Sequence, residues 1–207
     1  MRGRNLSARG KVFSLPGVVL LFAGMCLGLS APVACGAIFS SGYVNPADPS
    51  SWTDATTAYI GNTASGALTV NGGSLLRSAV TTVGGGTSGT MTVDGSGTQW
   101  ISTGNINVSA NGRLDISGGA AVVNSIGIKG LAGIVDNGGV VNITGAGSRW
   151  STDGLVIGYY GKGSIRVTKG GVVSSTSRSG INAGFNDFYV NPATSEVMID
   201  GPGSIWN

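Results

Sequence analysis

Histidine is missing altogether from this 207-residue chain. That removes imidazole general bases, Ser-His-Asp triads and His-ligated zinc together. Cysteine is nearly missing, and the two present, Cys26 and Cys35, lie close to the N-terminus. Charged residues make up only 10% of the chain while apolar content is an ordinary 41%, a balance that argues against a solvated disordered tail. The glycines follow no Gly-X-Y period, which excludes collagen. Only one apolar run is long, from Val12 to Leu29.

That run decides the first 37 residues. Arg2, Arg4, Arg9 and Lys11 precede it, and the small-residue stretch Ala31-Pro32-Val33-Ala34-Cys35-Gly36-Ala37 follows it. A positive head, an apolar middle and a small-residue exit make a secretory signal. Residues 1–37 are expected to be removed, with cleavage between Ala37 and Ile38. Two other readings stay open. Pro32-Val33-Ala34-Cys35 loosely resembles a lipoprotein box, and residues 12–29 could remain as an uncleaved anchor of barely spanning length. Removal takes four of the twelve basic residues and leaves eight against nine acids, a net of −1. The mature chain then has no disulfide, thiol nucleophile or thiolate metal site, and nucleic-acid binding loses its only support. No membrane span is expected in it either.

What the chain does have is 38 glycines punctuating short β-branched runs, which reads as all-β. Six residues ending in tryptophan recur: GSGTQW at Gly95–Trp100, GAGSRW at Gly145–Trp150 and GPGSIW at Gly201–Trp206. Trp52 opens the series without the glycines. By subtraction of residue numbers the tryptophans lie 48, 50 and 56 residues apart. A shorter period runs inside the long one. Apolar doublets stand at Leu68/Val70, Met91/Val93, Leu114/Ile116, Val141/Ile143, Ile165/Val167 and Val197/Ile199, with steps of 23, 23, 27, 24 and 32 residues. Period-two alternation sends each doublet to one face and the residue between to the other. A glycine turn follows every doublet. Beyond it comes a second apolar patch (Leu75/Leu76, Trp100, Val122/Val123, Trp150, Val172/Val173, Trp206), and before the doublet a third (Ile60, Val83, Ile106/Val108, Ile126/Ile128, Val156/Ile157, Ile181).

Three strand-like segments in each unit of about two dozen residues fit one lap of a solenoid. The expected fold is a right-handed parallel β-helix, three-sided, of about six coils over residues 58–207, preceded by the signal and by a cap segment at 38–57. Doublets then stack in apolar columns about 4.8 Å apart. Trp100, Trp150 and Trp206 share a column with the smaller Leu76, Val122 and Val173. Two long steps mark insertions, Lys129–Gly139 and Phe185–Ser195, expected at the same place in the coil and on one edge. The chain stops one residue after Trp206, which reads as truncation.

Leu-Thr-Val-Asn-Gly-Gly followed by Met-Thr-Val-Asp-Gly-Ser-Gly-Thr-Gln-Trp, and later the stretch from Leu155 (LVIGYYGKGSIRVTKGGVVSS), resemble the type V secretion / PEP-CTERM-associated repeat of bacterial autotransporter-like and surface proteins. The resemblance covers Trp52 to Trp206. It implies a secreted or surface-displayed β-solenoid passenger without a family-wide enzymatic activity.

The acids support no catalytic pair at glycosidase spacing. Asp115 should point outward between Thr92 and Asn142, and Asp136, Asp153 and Asp187 read as solvated turn residues. Calcium repeats are absent, because Gly84-Gly85-Gly86-Thr87-Ser88-Gly89 has no aspartate where a β-roll needs one. Catalytic, cofactor and metal residues are assigned as none, with one-off calcium binding in the Asp136-Asn137 or Asn186-Asp187 loops left open. The expected role is structural or adhesive at the cell surface, with self-association through exposed solenoid ends. The alternatives are a polysaccharide lyase or hydrolase on the same scaffold, and a glycan-binding module in which Tyr159, Tyr160, Phe185, Phe188 and Tyr189 stack on sugars. Covering an exposed edge is the plainer use for those rings.

Overall fold

The computed structural model describes residues 36–126, 132–177, 179–181 and 194–207. The chain enters through β1 (Ala37–Gly42), β2 (Val44–Asn45) and a 3-10 turn at Pro49–Ser51. Six strand triplets follow: β3–β5 (Ala58–Ile60, Gly66–Asn71, Leu75–Ser78), β6–β8 (Thr81–Val83, Gly89–Asp94, Gln99–Ser102) and β9–β11 (Ile106–Val108, Gly112–Ser117, Ala121–Asn124) come first. Then come β12–β14 (Gly133–Val135, Val140–Thr144, Arg149–Thr152), β15–β17 (Leu155–Ile157, Ser164–Thr168, Val172–Ser175) and β18–β20 (Ser179–Ile181, Glu196–Asp200, Ile205–Trp206). The first members of the triplets form one wall, the second members another and the third members a third, with every neighbour among them parallel. This is an all-β, three-sided parallel β-solenoid.

The doublets build the second wall in the register their alternation demands. Leu68, Met91, Leu114, Val141, Ile165 and Val197 stand in one column, and Val70, Val93, Ile116, Ile143, Val167 and Ile199 in the next. The first five members of each column are fully buried. On the third wall Leu76, Trp100, Val122, Trp150, Val173 and Trp206 form the tryptophan column.

The bulk in that column is balanced across the coil. The inward position opening the first wall reads Ala58, Thr81, Ile106, Gly133, Leu155, Ser179. Coils with a tryptophan carry Thr81, Gly133 or Ser179 there, and coils with a valine carry Ile106 or Leu155. Large faces small in every coil from the second onward, the interdigitation a close-packed interior requires.

The N-terminal segment caps the stack. Antiparallel β1 covers β4, antiparallel β2 covers β3, and Thr56 O accepts from Ala79 N–H at 2.7 Å beside the third wall. Trp52 closes the core at 6% exposure, its indole N–H donating to Pro46 O at 3.1 Å. At the other end β18, β19 and β20 leave Ile181, Ile199 and Ile205 about half exposed.

Two expectations need correction. Ile126 is not in the first-wall strand of the fourth coil; Val135 pairs with Val108 and Ile157 and takes that place, and Ile128 lies outside the described residues. The first insertion therefore separates β11 from β12, while the second separates β18 from β19. They leave from different corners and do not share an edge. The apolar Ile126 looked like a strand, but Gly133-Ile134-Val135 is the set whose Gly133 accommodates Trp150.

Candidate interaction surface

Each Gly-x-Gly-hydroxyl-x-Trp hexad is a clamp between coils. The side-chain oxygens of Thr98, Ser148 and Ser204 accept from the backbone N–H of Gly73, Gly119 and Gly170 at 2.9, 3.0 and 3.0 Å. The same hydroxyls donate to the carbonyls of Asp94, Thr144 and Asp200 at 2.7, 2.8 and 2.7 Å. Both hexad glycines have positive φ, for example Gly145 at 94° and Gly147 at 83°, where a side chain would be strained. Trp100 donates to Ser78 Oγ at 3.0 Å and Trp150 to Asn124 Oδ1 at 2.8 Å. These tryptophans are fully buried, so they hold the scaffold and touch nothing outside.

The corner between the first and second walls permits almost no side chain. A Cβ on Gly66, Gly89, Gly112, Gly139 or Gly163 would run into the carbonyl oxygen of Tyr43, Ile60, Val83, Val108 or Val135 respectively. Ser195 follows in the last coil, its Oγ accepting from Gly163 N–H at 3.1 Å.

This tight corner borders an open groove of about 390 Å³ on the outer face of the second wall. Arg113, Asn142, Lys162, Ser164, Arg166 and Glu196 supply its polar lining. β10, β13, β16 and β19 set all of these but Lys162 on successive coils, Arg113, Ser164 and Glu196 in one outward row and Asn142 and Arg166 in the next. Asp115 stands between Thr92 and Asn142 as expected. Its Oδ2 accepts from Arg113 Nε at 2.7 Å and its Oδ1 from Asn142 Nδ2 at 2.7 Å. The hydrogen bond to Asp115 raises the Arg113 pKa further, so that residue is a fixed cation.

Tyr159 and Tyr160 sit in the segment joining β15 to β16, which also carries Lys162. Their rings meet edge to face, centroids 4.2 Å apart, and Tyr160 is 69% exposed. The hydrogen bond with Tyr159 pushes the Tyr160 phenol up. Phe185, Phe188 and Tyr189 lie outside the described residues. The strands flanking their segment do pair with those flanking the tyrosines: Ile181 with Ile157, and Glu196 with Ser164. Ala37 and Ile38 open β1 opposite Asn71 and Val70.

The carboxylates are mostly occupied in holding the coil. Asp94 accepts from Ser117 at 2.6 Å, and Asp153 accepts from Ser125 Oγ and Ile126 N–H at 2.8 and 2.9 Å. Asp54 pairs with Arg77 at 2.9 Å. Asp136 is not the solvated turn acid expected of it. It is 5% exposed, because β12 ends immediately before it and its N–H is drawn in to Val108 O at 3.0 Å. Burial pushes its carboxyl above the ordinary 3.8, opposed by a hydrogen bond from Ser109. Among the described residues no group of three or more Asp, Glu or Cys could hold a metal ion, and no helix is long and apolar enough to cross a membrane.

No protein family matches the chain, and no solved structure does. It is 33% identical over 123 residues to the adhesin BmaC autotransporter of Brucella suis biovar 1 (strain 1330). That alignment takes in 58% of this chain and 4% of that protein, so the chain spans a small fraction of the curated relative it matches.

Proposed function

We propose that the chain is a secreted or cell-surface β-solenoid of the autotransporter-like, PEP-CTERM-associated repeat kind, non-enzymatic, which works as an adhesive scaffold. The likeness to an autotransporter adhesin carries the reading. The stacked coils support it, since they present long outward rows of side chains on a wall that is rigid by construction. The signal at residues 1–37, cut between Ala37 and Ile38, delivers it. Contact is made at the first-to-second-wall corner, through Tyr159 and Tyr160, and Phe185, Phe188 and Tyr189 are further sugar contacts in this reading. Partners are surface polysaccharides, and copies of the chain pairing through the open rungs at β18–β20.

A glycan array probed with the full chain tests this. Binding to a subset of glycans that falls when Tyr159 and Tyr160 are both changed to Ala is the expected result. Release of sugar products from any bound glycan, or no retention on any glycan or cell surface, would overturn it.

A further inference from the structure

We infer that the groove on the second wall recognises an acidic polysaccharide, a chain of uronate-type sugars whose carboxylates meet Arg113, Lys162 and Arg166. This rests on the adhesive reading above and gives it a partner class. Those three are half of the basic residues among the described ones, the others being Arg77, Arg149 and Lys169. Cations are otherwise scarce in a chain whose mature form is near neutral, so their meeting in one groove is a local field, not an average property.

The three cations are also available. Lys162 and Arg166 are exposed and form no ion pair among the described residues. Arg113 is bonded to Asp115 only through Nε. Its two terminal nitrogens stay free for a carboxylate, the geometry a guanidinium binds best. Asp115, itself tied to Asn142, fixes where those nitrogens point. Arg113 on β10 and Arg166 on β16 lie two strands apart, roughly 9.6 Å along the solenoid axis. An extended sugar chain lying along the axis would present separate carboxylates to them.

Glu196 also lines the groove, and Asp115 abuts it. A phosphate backbone and a uronate chain both carry an anion on every unit, so Glu196 and Asp115 weaken the binding of either. The sugar is favoured by its ring hydroxyls, which a DNA backbone lacks and which suit Asn142 and Ser164. The nearby Tyr160 ring offers an apolar face to a pyranose.

The experiment measures the affinity of the full chain for polygalacturonate oligomers, dextran and single-stranded DNA, at low and high salt. Polygalacturonate should bind, weaken with salt and be preferred over both others. Arg166→Ala and Lys162→Ala should each weaken it roughly three- to tenfold. Glu196→Gln should tighten it, and Arg149→Ala, which removes the same charge from the third wall, should leave it unchanged. Circular dichroism of these exposed-site variants checks that the fold persists. Polygalacturonate affinity unmoved by Arg166→Ala and Lys162→Ala, or lowered equally by Arg149→Ala, refutes the groove while leaving surface adhesion standing. Equal affinity for dextran refutes recognition of charge, and tighter DNA binding refutes the sugar. Failure of the adhesive reading itself is seen separately, as absence of binding across the whole glycan array.

Discussion

Gly133 and Trp150 face each other across the fourth coil, and exchanging their bulk is a direct test of how the core is packed. A Cβ on Gly133 would stand 2.8 Å from Trp150 Cζ2 and 3.0 Å from Leu155 Cδ1. Gly133→Ile is then overpacked, at a cost of about 1–3 kcal/mol. Trp150→Val empties the same space and should cost about 2–4 kcal/mol. It also leaves Asn124 Oδ1 without the indole donor it now has at 2.8 Å, a further loss of about 1–3 kcal/mol. The double variant recreates the Ile106/Val122 combination of the coil below. Its destabilisation should fall short of the sum of the singles by about 1–3 kcal/mol. Chemical denaturation of the four proteins, followed by far-ultraviolet circular dichroism, measures that coupling. Additivity within about 0.5 kcal/mol would refute the claim that first-wall and third-wall bulk are matched.

Three further outcomes are expected. Ser148→Ala breaks the clamp, orphaning Gly119 N–H and freeing Thr144 O; a loss of about 1–3 kcal/mol is expected in the denaturation midpoint, and a smaller loss in Ser148→Thr. Gly112→Ala drives a methyl against Val83 O, backbone that cannot turn aside, and should lower the melting temperature more than Gly73→Ala, where the space is open and only the positive φ of 83° opposes the change. Asp136 binds its proton more tightly folded than unfolded, so its contribution is present at low pH and is lost as pH rises through its elevated folded pKa. Asp136→Asn should abolish that fall just above the ordinary carboxylate range and be more stable than the parent at neutral pH, as read from melting curves across pH.

Most of the solenoid was legible in the sequence because its columns are written as repeats. Once Leu68/Val70 and Met91/Val93 are seen as the same position, the alternation fixes which face each occupies, and a parallel stack is the arrangement that puts like on like. Thr98, Ser148 and Ser204 recur at one place in the hexad, but nothing in the sequence marks them as clamps, since their partners Gly73, Gly119 and Gly170 lie one coil away in glycine turns with no side chain to flag them. The groove was less legible still. Arg113, Lys162 and Arg166 are 49 and 4 residues apart by subtraction, and only the stacking of β10 on β13 and β16 brings them to one face.

The sequence by itself determined the strand period, the inward doublets and the tryptophan column, because a side chain's face in a strand follows from parity alone. Tertiary structure decided where the irregular residues went. Ile126 is apolar, yet the strand forms at Gly133–Val135, since the position facing a tryptophan must be small and Gly133 leaves room for the Trp150 ring. That choice moved the first insertion to another corner and drew Asp136 inside. Local alternation cannot make such a choice, because it turns on volume shared between residues that meet only after the coil has closed.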